Sequence, residues 1–485
     1  MQENINSVLA TVLKRVTPKQ TEKAKMKTLA QKLVKRVVAA SKEYGVKAAV
    51  RLEGSVAKGT WLSGERDLDV FMRVPASVPR ESLGDICLKI ARKATEGSTQ
   101  VERFAEHPYL EAYVEGVRVN IVPCYAVKQG EWLSATDRTP YHTDYINRRL
   151  NPKMRGQVRL LKKFMKGIDV YGAEIKVGGF SGYLCELLIL HYGSFLKTLE
   201  AFAEHTQRII IDIERHYENR ARELDLLFDE PLTIIDPVDK ARNVASAVQT
   251  NKLYNFVAAA QSFLSYPSIS YFYPPETKKL GENQTIDMLK RRGSDTVFVV
   301  FEGVNRVPDV LWGQLYKSQR SLRRLLVIND FIVLRDCAWS DEKDLNMFVF
   351  ELEQCRLSSA MKHLGPPLDK KEESRKFVTK YFKNPNVISG PYVDDGRWVV
   401  LVRRKSPDAR ELLRDKLAEG GRTAGVAEGI SHVLKRGFKV LVNEEIMGIY
   451  KNNCEFAVFL TEFLNGKPKW LEYPCQRESN QYYSK

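Results

Sequence analysis

The spacing of hydrophobic residues predicts a helix at the start of the chain and a sheet after it. Leu29, Leu33 and Val37 fall on one helical face, lysines occupy the other, and Gly45 follows at the end. From residue 46 onwards short apolar runs bounded by turn residues predict strands, with one helix over 79–95. The strands are expected over 46–52, 68–74, 110–114 and 117–122. Gly116 separates the last two strands, so we expect them to pair as a hairpin.

Longer amphipathic periods in the middle of the chain predict helices. They cover 153–166, 181–205 and 238–264. Prolines within 266–275 then predict a linker.

The second half of the chain mixes strand and helix patterns, which indicates small α+β modules. Strands are expected over 296–301, 331–334 and 347–352, with a basic helix over 308–326. Gly365 and the two prolines after it are expected to end this module. The remainder predicts a hairpin near Asp394, a closing helix over 444–464, and twenty polar, loose residues at the end.

These shifts in pattern divide the chain into four expected domains, in an α+β multidomain fold. Their bounds are 1–150, 151–270, 271–365 and 366–485. A length of 485 residues agrees with this division, since single cores stop growing well below that size.

Charge and cysteine content narrow the functional class. The net charge of +16, spread along the chain, predicts an anionic partner, with nucleic acid ahead of an anionic membrane. Seven scattered cysteines without a Cys-x-x-Cys pair favour reduced thiols in the cytoplasm over disulfides or zinc. The longest apolar stretch, near 184–195, contains Glu186 and His191, so we expect no transmembrane segment and no membrane partner.

The strongest chemical signal lies between residues 54 and 71. Asp67 and Asp69 are two apart on a predicted strand, so their carboxylates share one face and can hold a divalent cation such as Mg²⁺. The Gly54-Ser55 turn before them allows a phosphate to approach the backbone, and Lys58 adds a positive charge. This layout is typical of a nucleotidyltransferase site.

Several further segments give the chain a resemblance to a known family. It resembles the archaeal-type (class I) CCA-adding enzymes, which are tRNA nucleotidyltransferases. The matching segments run in order over about residues 50–245. They are Gly54-Ser55 with Lys58-Gly-Thr-Trp-Leu62, Asp67-Leu-Asp69, Val122-Pro-Cys-Tyr125, Asp137-Arg-Thr-Pro-Tyr-His142, Val158-Arg-Leu-Leu-Lys162, Val170-Tyr-Gly-Ala-Glu174, Gly179-Phe-Ser-Gly-Tyr-Leu-Cys-Glu-Leu-Leu188 and Asp236-Pro-Val-Asp239 with Arg242-Asn-Val244.

The resemblance implies an architecture. It implies a polymerase-beta-like nucleotidyltransferase head over 1–150 and a helical nucleotide- and tRNA-binding neck over 151–270. An RRM-like or ferredoxin-like α+β body over 271–365 and an α+β tail with a C-terminal helix over 366–485 follow.

The resemblance also implies the activity. CTP and ATP would be added, without a template, to the 3′ end of tRNA to build or repair CCA, with Mg²⁺ as cofactor and release of pyrophosphate. The tRNA 3′ end and acceptor arm would be partners in the cytoplasm, and a homodimer stays open.

Individual positions take roles from the same resemblance. Asp67 and Asp69 would be catalytic and hold the metal. Gly54, Ser55 and Lys58 would bind the triphosphate of CTP or ATP. His142, Lys162, Tyr171 and Arg242 would complete the nucleotide pocket.

One position departs from the family pattern. The family has a third carboxylate where this chain has Asn120, which alternation places on the site face. An amide oxygen can bind Mg²⁺ but carries no charge and takes up no proton. Glu111 on the neighbouring strand is a candidate to offset that loss.

Basic helix faces add a second class of candidates. Lys162 shares a face with Arg155, Arg159, Lys163 and Lys166. This face is either a solvated basic stripe or, because the pattern shows no acidic partners, a phosphate contact. Lys317, Arg320, Arg323 and Arg324, and the run Arg403-Arg404-Lys405, are candidate tRNA contacts in the second half.

Two alternatives to CCA addition stay open. One is a poly(A)-polymerase-like RNA nucleotidyltransferase, which shares the Gly-Ser and Asp-x-Asp arrangement but does not stop after three nucleotides. The other is a catalytically impaired, tRNA-binding relative that has lost metal chemistry through Asn120.

Overall fold

A computed structural model describes residues 4–104, 106–204 and 207–471, and divides them into two compact units. The first unit spans residues 1–276 and 467–485 and the second Thr277–Gly466. The described parts mix helices and sheets in both units, so the α+β multidomain class is confirmed. The four-part division of the chain stays a prediction.

The first unit begins with two helices followed by a five-stranded sheet. Its elements are α1 (Ile5–Val16), α2 (Gln20–Glu43), β1 (Ala49–Glu53), α3 (Gly54–Lys58), β2 (Asp67–Val74), α4 (Arg80–Ala94), β3 (Thr99–Phe104), β4 (Pro108–Val114) and β5 (Val117–Tyr125). The strand order is β1-β2-β5-β4-β3, with β2 and β5 parallel and the other neighbours antiparallel.

The alternation in these strands explains why one face of the sheet is free for chemistry. Leu68, Val70 and Val119 are fully buried in a core formed with α2 and α4. Because side chains alternate between faces, Asp67, Asp69 and the polar residues of β5 occupy the opposite face. The predicted hairpin of β4 and β5 is confirmed, and β3 is a strand that the sequence pattern did not reveal.

The rest of the first unit is mainly helical. It contains α5 (Thr139–Arg149), α6 (Pro152–Gly167), α7 (Gly182–Tyr192), α8 (Phe195–Ala203), β6 (Ile209–Ile211), α9 (Ala221–Leu227), β7 (Leu232–Asp236), β8 (Asp239–Asn243) and α10 (Thr250–Ser265). Strands β6, β7 and β8 form a small sheet of their own.

Three predictions in this region are wrong in detail. The helix expected over 181–205 is two helices, because Gly193 (φ 84°) ends α7. The helix expected over 238–264 starts only at Thr250, since Pro237 and Val238 form the turn of the β7–β8 hairpin. The expected linker over 266–275 does end beside the boundary between the two units at Glu276, but it is not a free linker throughout, because Phe272 is fully buried in the helical core.

The second unit contains two further sheets. Its elements are α11 (Glu282–Arg291), β9 (Asp295–Glu302), α12 (Pro308–Ile328), β10 (Val333–Ser340), β11 (Leu345–Leu352), β12 (Ala360–Pro367), α13 (Lys371–Tyr381), β13 (Val387–Asp394), β14 (Arg397–Arg403), α14 (Ala409–Leu417), α15 (Glu428–Leu434), β15 (Lys439–Val442), α16 (Met447–Asn452) and α17 (Cys454–Asn465). The strand orders are β10-β11-β9-β15 and β12-β14-β13.

The second unit confirms the hairpin at Asp394 and corrects two boundaries. Strand β12 continues through Gly365 to Pro367, where we expected the module to end. The closing helix is broken at Asn453, whose side chain accepts from Phe456 N and caps α17. Most of the terminal stretch that we expected to be loose lies outside the described residues.

Candidate active site

The two aspartates lie on the open face of the sheet, beside β5. The parallel register places Asp69 opposite Asn120 and Asp67 opposite Arg118. Asn120 Nδ2 donates to Asp69 Oδ1 at 2.9 Å. Arg118 donates to both carboxylate oxygens of Asp67, at 2.9 and 2.8 Å. The two pairs are therefore neighbours on one face of the sheet.

Gly54 is required by the close approach of α3 to Asp69. Its φ of +71° lies in the left-handed region, and a Cβ built on it would be 2.0 Å from Asp69 Oδ2. Helix α3 therefore starts directly against the carboxylate, with Ser55 in its first turn and Lys58 at its end. A side chain at position 54 would push the helix away from Asp69.

The donor set around Asp69 fits a hard cation such as Mg²⁺. Burial, helped by the charge of Asp67, raises the pKa of Asp69, although the Asn120 hydrogen bond opposes the shift. A cation would reverse this by favouring the ionised form. Turning the Asn120 amide would offer its carbonyl oxygen as a further ligand beside the two carboxylates.

No third carboxylate completes this set within the described residues. No group of three or more His, Cys, Asp or Glu side chains there is placed to hold a metal. Glu111 does lie opposite Asn120 on β4, but Arg103 donates to its Oε1 at 3.0 Å. Glu111 is therefore paired with Arg103, as Asp67 is paired with Arg118, and either carboxylate would have to exchange its arginine for a cation in order to bind one.

A buried ion cluster lies behind α3. Lys58 Nζ is 2.5 Å from Glu186 Oε2, and the Thr60 hydroxyl donates to Glu186 Oε1 at 2.5 Å. Lys162 Nζ donates to Thr60 Oγ1 at 3.2 Å and lies 3.6 Å from Glu186 Oε1. Two lysines thus share one carboxylate at the end of α3, which leaves one positive charge in excess when both lysines are protonated.

The pKa directions agree with this excess charge. Burial disfavours ionisation of Glu186, but the charges of Lys58 and Lys162, together with the hydrogen bonds from Lys58 and Thr60, outweigh it and lower the pKa of Glu186. Burial lowers the pKa of Lys162, and the charge of Lys58 acts in the same direction, against the attraction of Glu186. A polyanion bound here would relieve the repulsion between the two lysines.

Tyr171 reaches the same place from the segment after α6. A Cβ built on Gly182 would be 3.0 Å from Tyr171 Oη and 3.3 Å from Lys162 Nζ. The start of α7 therefore passes close to both polar tips. Lys166 Nζ lies over the Tyr171 ring, 5.0 Å from its centroid.

A second polar cluster is centred on Asp236 at the end of β7. His142 Nε2 is 2.8 Å from Asp236 Oδ2, Arg242 Nη1 donates to the same oxygen at 2.7 Å, and the Tyr183 hydroxyl donates to Oδ1 at 3.2 Å. The His142 and Tyr183 rings stack at 4.1 Å. Lys58 Nζ, 5.5 Å from the Tyr183 ring centroid, links this cluster to the lysines.

Charge partners keep Asp236 ionised in this buried position. Burial opposes ionisation, but the His142 hydrogen bond and the charges of His142 and Arg242 lower the pKa of Asp236. Burial lowers the pKa of His142 despite the nearby carboxylate. Arg242 is held in place by Asp236 while its side chain stays partly exposed.

Comparison with known proteins matches three family descriptions in chain order. Residues 30–142 match "Nucleotidyltransferase domain", 156–273 match "tRNA nucleotidyltransferase, second domain", and 292–443 match "CCA-adding enzyme, C-terminal domain". The CCA-adding enzyme of Methanosarcina barkeri is 35% identical over 93% of this chain and 97% of its own length. The chain belongs to the CCA-adding enzyme family.

Two further CCA-adding enzymes agree with this family assignment. The CCA-adding enzyme of Methanothermobacter thermautotrophicus is 36% identical over 94% of this chain and 97% of its own length. That of Pyrobaculum islandicum is 37% identical over 86% and 95%. A structure of a cytoplasmic RNA terminal U-transferase covers 55% of this chain and 97% of its own, at 14% identity and a TM-score of 0.44.

The structure gathers the predicted positions of this family member into two neighbouring groups. Gly54, Ser55, Asp67, Asp69 and Asn120 lie at the start of α3 and on the sheet face. The second group lies behind α3 and at β7. It contains Lys58, His142, Lys162, Tyr171 and Arg242.

The basic face of α6 differs from what its sequence pattern indicates, both in burial and in acidic partners. Lys162 and Arg159 are buried, so the face is not a solvated stripe. Acidic partners also exist, since Glu186 faces Lys162 and Glu65 pairs with Lys166. In the second unit, Arg323 and Arg404 likewise have acidic partners, Asp336 and Asp330.

Four residues of the site were missed as site residues by sequence reasoning. They are Thr60, Glu186, Tyr183 and Asp236, which all lie in segments that carry the family resemblance. A signal existed for Glu186, because a lone acidic residue within an apolar helix needs a buried partner.

No helix within the described residues is long and apolar enough to span a membrane.

Proposed function

We propose that this chain adds and repairs the 3′-terminal CCA of tRNA, using CTP and ATP without a template. The observation that carries the proposal is the juxtaposition of Asp67, Asp69 and Asn120 with the Lys58–Glu186–Lys162 cluster across α3. One side has the hard oxygen ligands of a metal site and the other an excess positive charge for a triphosphate.

The triphosphate end of the nucleotide would lie against α3. Lys58 and Lys162, when both are protonated, hold one charge more than Glu186 neutralises. The Tyr171 hydroxyl lies close to Lys162, and Ser55 adds a hydroxyl in the first turn of α3. These groups would fix the β- and γ-phosphates and leave the α-phosphorus towards the sheet face. Fixing the reacting groups in this way is much of the catalysis in phosphoryl transfer.

The base end would lie towards the Asp236 cluster. His142 stacks on Tyr183, and Arg242 keeps a partly exposed guanidinium fixed by Asp236. Such a fixed donor set suits the acceptor edges of cytosine and adenine. We assign Arg242 and His142 to holding the base and ribose of CTP or ATP.

Asp67, Asp69 and the Asn120 carbonyl oxygen would hold Mg²⁺. When bound, the cation supplies charge neutralisation at the attacking 3′-oxygen and at the leaving pyrophosphate. The residues themselves orient the 3′-hydroxyl of the tRNA towards the α-phosphorus for in-line attack. Burial raises the pKa of Asp69, so a bound cation would be needed to keep it ionised and able to accept a hydrogen bond from that hydroxyl.

The partners follow from this chemistry. The tRNA 3′ end and acceptor arm would reach the head, while the second unit would hold the RNA mainly by its backbone and shape. Lys317, Arg320 and Arg324 on α12 are candidate phosphate contacts. A four-domain division, a cytoplasmic location and a homodimer belong to the same proposal.

The test is incorporation of α-labelled ATP into tRNA ending in CC, by the intact chain and by Asp69→Asn, with tRNA binding measured in parallel. We expect the intact chain to add one AMP and the variant to bind tRNA equally without adding it. If the intact chain binds tRNA but adds no AMP at any Mg²⁺ or Mn²⁺ concentration, the proposal is refuted. That result would favour a tRNA-binding relative whose catalysis is impaired by Asn120. A long poly(A) product would favour the polymerase alternative.

A further inference from the structure

A cleft of about 990 Å³ is lined by residues of α2, α3 and α6 and does not include the two aspartates. We call it the α2–α6 cleft. Its walls carry five cationic side chains, which are Lys23, Lys27, Lys35, Arg155 and Arg159. No acidic residue lines it. The site described above does not use this cleft.

The lysines form a regular row along α2. Lys23, Lys27 and Lys35 lie at intervals of four and eight residues, so they share one helical face over about 18 Å. Arg155 and Arg159, also four residues apart, face them from α6. Like charges at this spacing repel each other unless an anion lies between them.

Neither arginine has a carboxylate partner among the described residues, although Arg155 Nη2 donates to Asn147 Oδ1 at 3.4 Å. Arg159 is 8% exposed and donates only to carbonyl oxygens, of Trp61 at 3.0 Å and of Gly59 at 2.5 Å. Arg155 Nε is buried with no hydrogen-bond partner among the described residues. In that same part of the chain, none of the five cations forms an ion pair with a carboxylate.

The floor of the cleft is apolar. Met26, Val34 and Trp61 line it together with Val56 of α3. A cationic groove with an apolar and aromatic floor suits a ligand that carries phosphate groups and a flat organic part. Guanidinium groups match phosphate oxygens in pairs, which lysines alone cannot do.

We propose that the α2–α6 cleft is a second anion site, which binds phosphate groups outside the triphosphate pocket. The phosphates come either from the backbone of the RNA substrate or from a free nucleotide. Val56, Ala57 and Gly59 form one wall of the cleft. A phosphate bound there would contact the same short segment that carries Ser55 and Lys58, which we assign to the nucleotide. The RNA source rests on the proposed function, whereas the nucleotide source does not.

The test is charge reversal in the cleft, Lys27→Glu, against Lys42→Glu as a matched control. Lys42 lies on the same helix, is exposed, and does not line the cleft. Circular dichroism and thermal melting check that both variants fold. tRNA binding is measured from 0.05 to 0.3 M salt, and ATP and inorganic phosphate binding by calorimetry.

Two results support the proposal and identify the source. Loss of one RNA phosphate contact in Lys27→Glu lowers the salt slope by about one and weakens tRNA binding about five- to eightfold at 0.1 M salt. If the ligand is a free nucleotide, tRNA binding is unchanged and ATP or phosphate binding loses one of two sites. Equal behaviour of the two variants in every measurement overturns the proposal. If the intact chain binds no tRNA at all, the proposed function fails, and calorimetry still decides on the cleft.

Discussion

Glu186→Gln should lower the free energy of unfolding of the first unit, because it removes the charge that two buried lysines share. The carboxylate is fully buried and is the shared partner of Lys58 and Lys162. Glutamine keeps the shape and one acceptor oxygen but removes the charge. Two buried ammonium groups then face each other without a counterion.

The loss in free energy of unfolding follows from the ion-pair distances and from the cost of deprotonating one lysine. At distances of 2.5 and 3.6 Å, the Coulomb attraction of the two lysines is about 7 and 5 kcal/mol at an effective dielectric constant of about 20. Desolvation offsets much of this, and breaking a buried pair costs about 3–5 kcal/mol. The protein can also release one lysine proton, which limits the cost to about 5 kcal/mol at pH 7. We therefore expect Glu186→Gln to lower the free energy of unfolding by about 3–5 kcal/mol at pH 7.

Urea unfolding followed by far-ultraviolet circular dichroism measures this loss. Glu200→Gln, on the exposed face of α8, is the matched control and should change the free energy of unfolding by less than about 0.5 kcal/mol. The penalty of Glu186→Gln should shrink as the pH rises towards 10, because the lysines lose their charge. A variant no less stable than the control at pH 7 would refute the cluster as described.

The intact chain should show the opposite pH dependence on the acid side. The pKa of Glu186 is lowered in the folded chain, so its stabilising contribution is present above the ordinary carboxyl pKa. It is lost as the pH falls through the folded value. Glu186→Gln should therefore lose less stability than the intact chain between pH 5 and the acid transition, in the same urea assay.

Three further predictions concern the reaction. Asp69→Ala should lower single-turnover incorporation by at least about 10³-fold, with tRNA affinity within about twofold by filter binding, because only the metal site is lost; a parallel loss of binding would make Asp69 structural. Asn120→Asp should keep or raise activity and lower the Mg²⁺ concentration needed, since it adds a charged ligand; a marked fall would show that the site depends on the amide. ATP affinity should fall as the pH rises through the lowered pKa of Lys162, below the usual lysine value, and Lys162→Arg should abolish that limb; an unchanged limb would remove Lys162 from the triphosphate site.

The sheet that carries the aspartates could be predicted because its pattern is local. Alternation in β2 and β5 sets which side chains face the core, so the shared face of Asp67, Asp69 and Asn120 follows from period-two geometry. The parallel pairing of β2 with β5 did not follow from the pattern, because it joins segments about fifty residues apart.

The interior of the site could not be read in the same way. Lys162 looks like part of a basic surface stripe, because its partner Glu186 is on another helix and Thr60 is in a loop. The β7–β8 hairpin was missed because Asp236-Pro-Val-Asp239 forms a turn within a stretch of otherwise helical composition. For Lys162 a long-range polar contact overrides the local pattern, whereas the β7–β8 hairpin is itself a local contact across a two-residue turn.

The most direct test of the account is extension of three tRNA transcripts, lacking CCA, CA or A, with CTP and ATP resolved at single-nucleotide length. We expect growth by three, two and one nucleotides respectively, in the order C, C, A, followed by a stop. Continued addition of A beyond position three, or no extension of any transcript despite tRNA binding, would contradict the central claim.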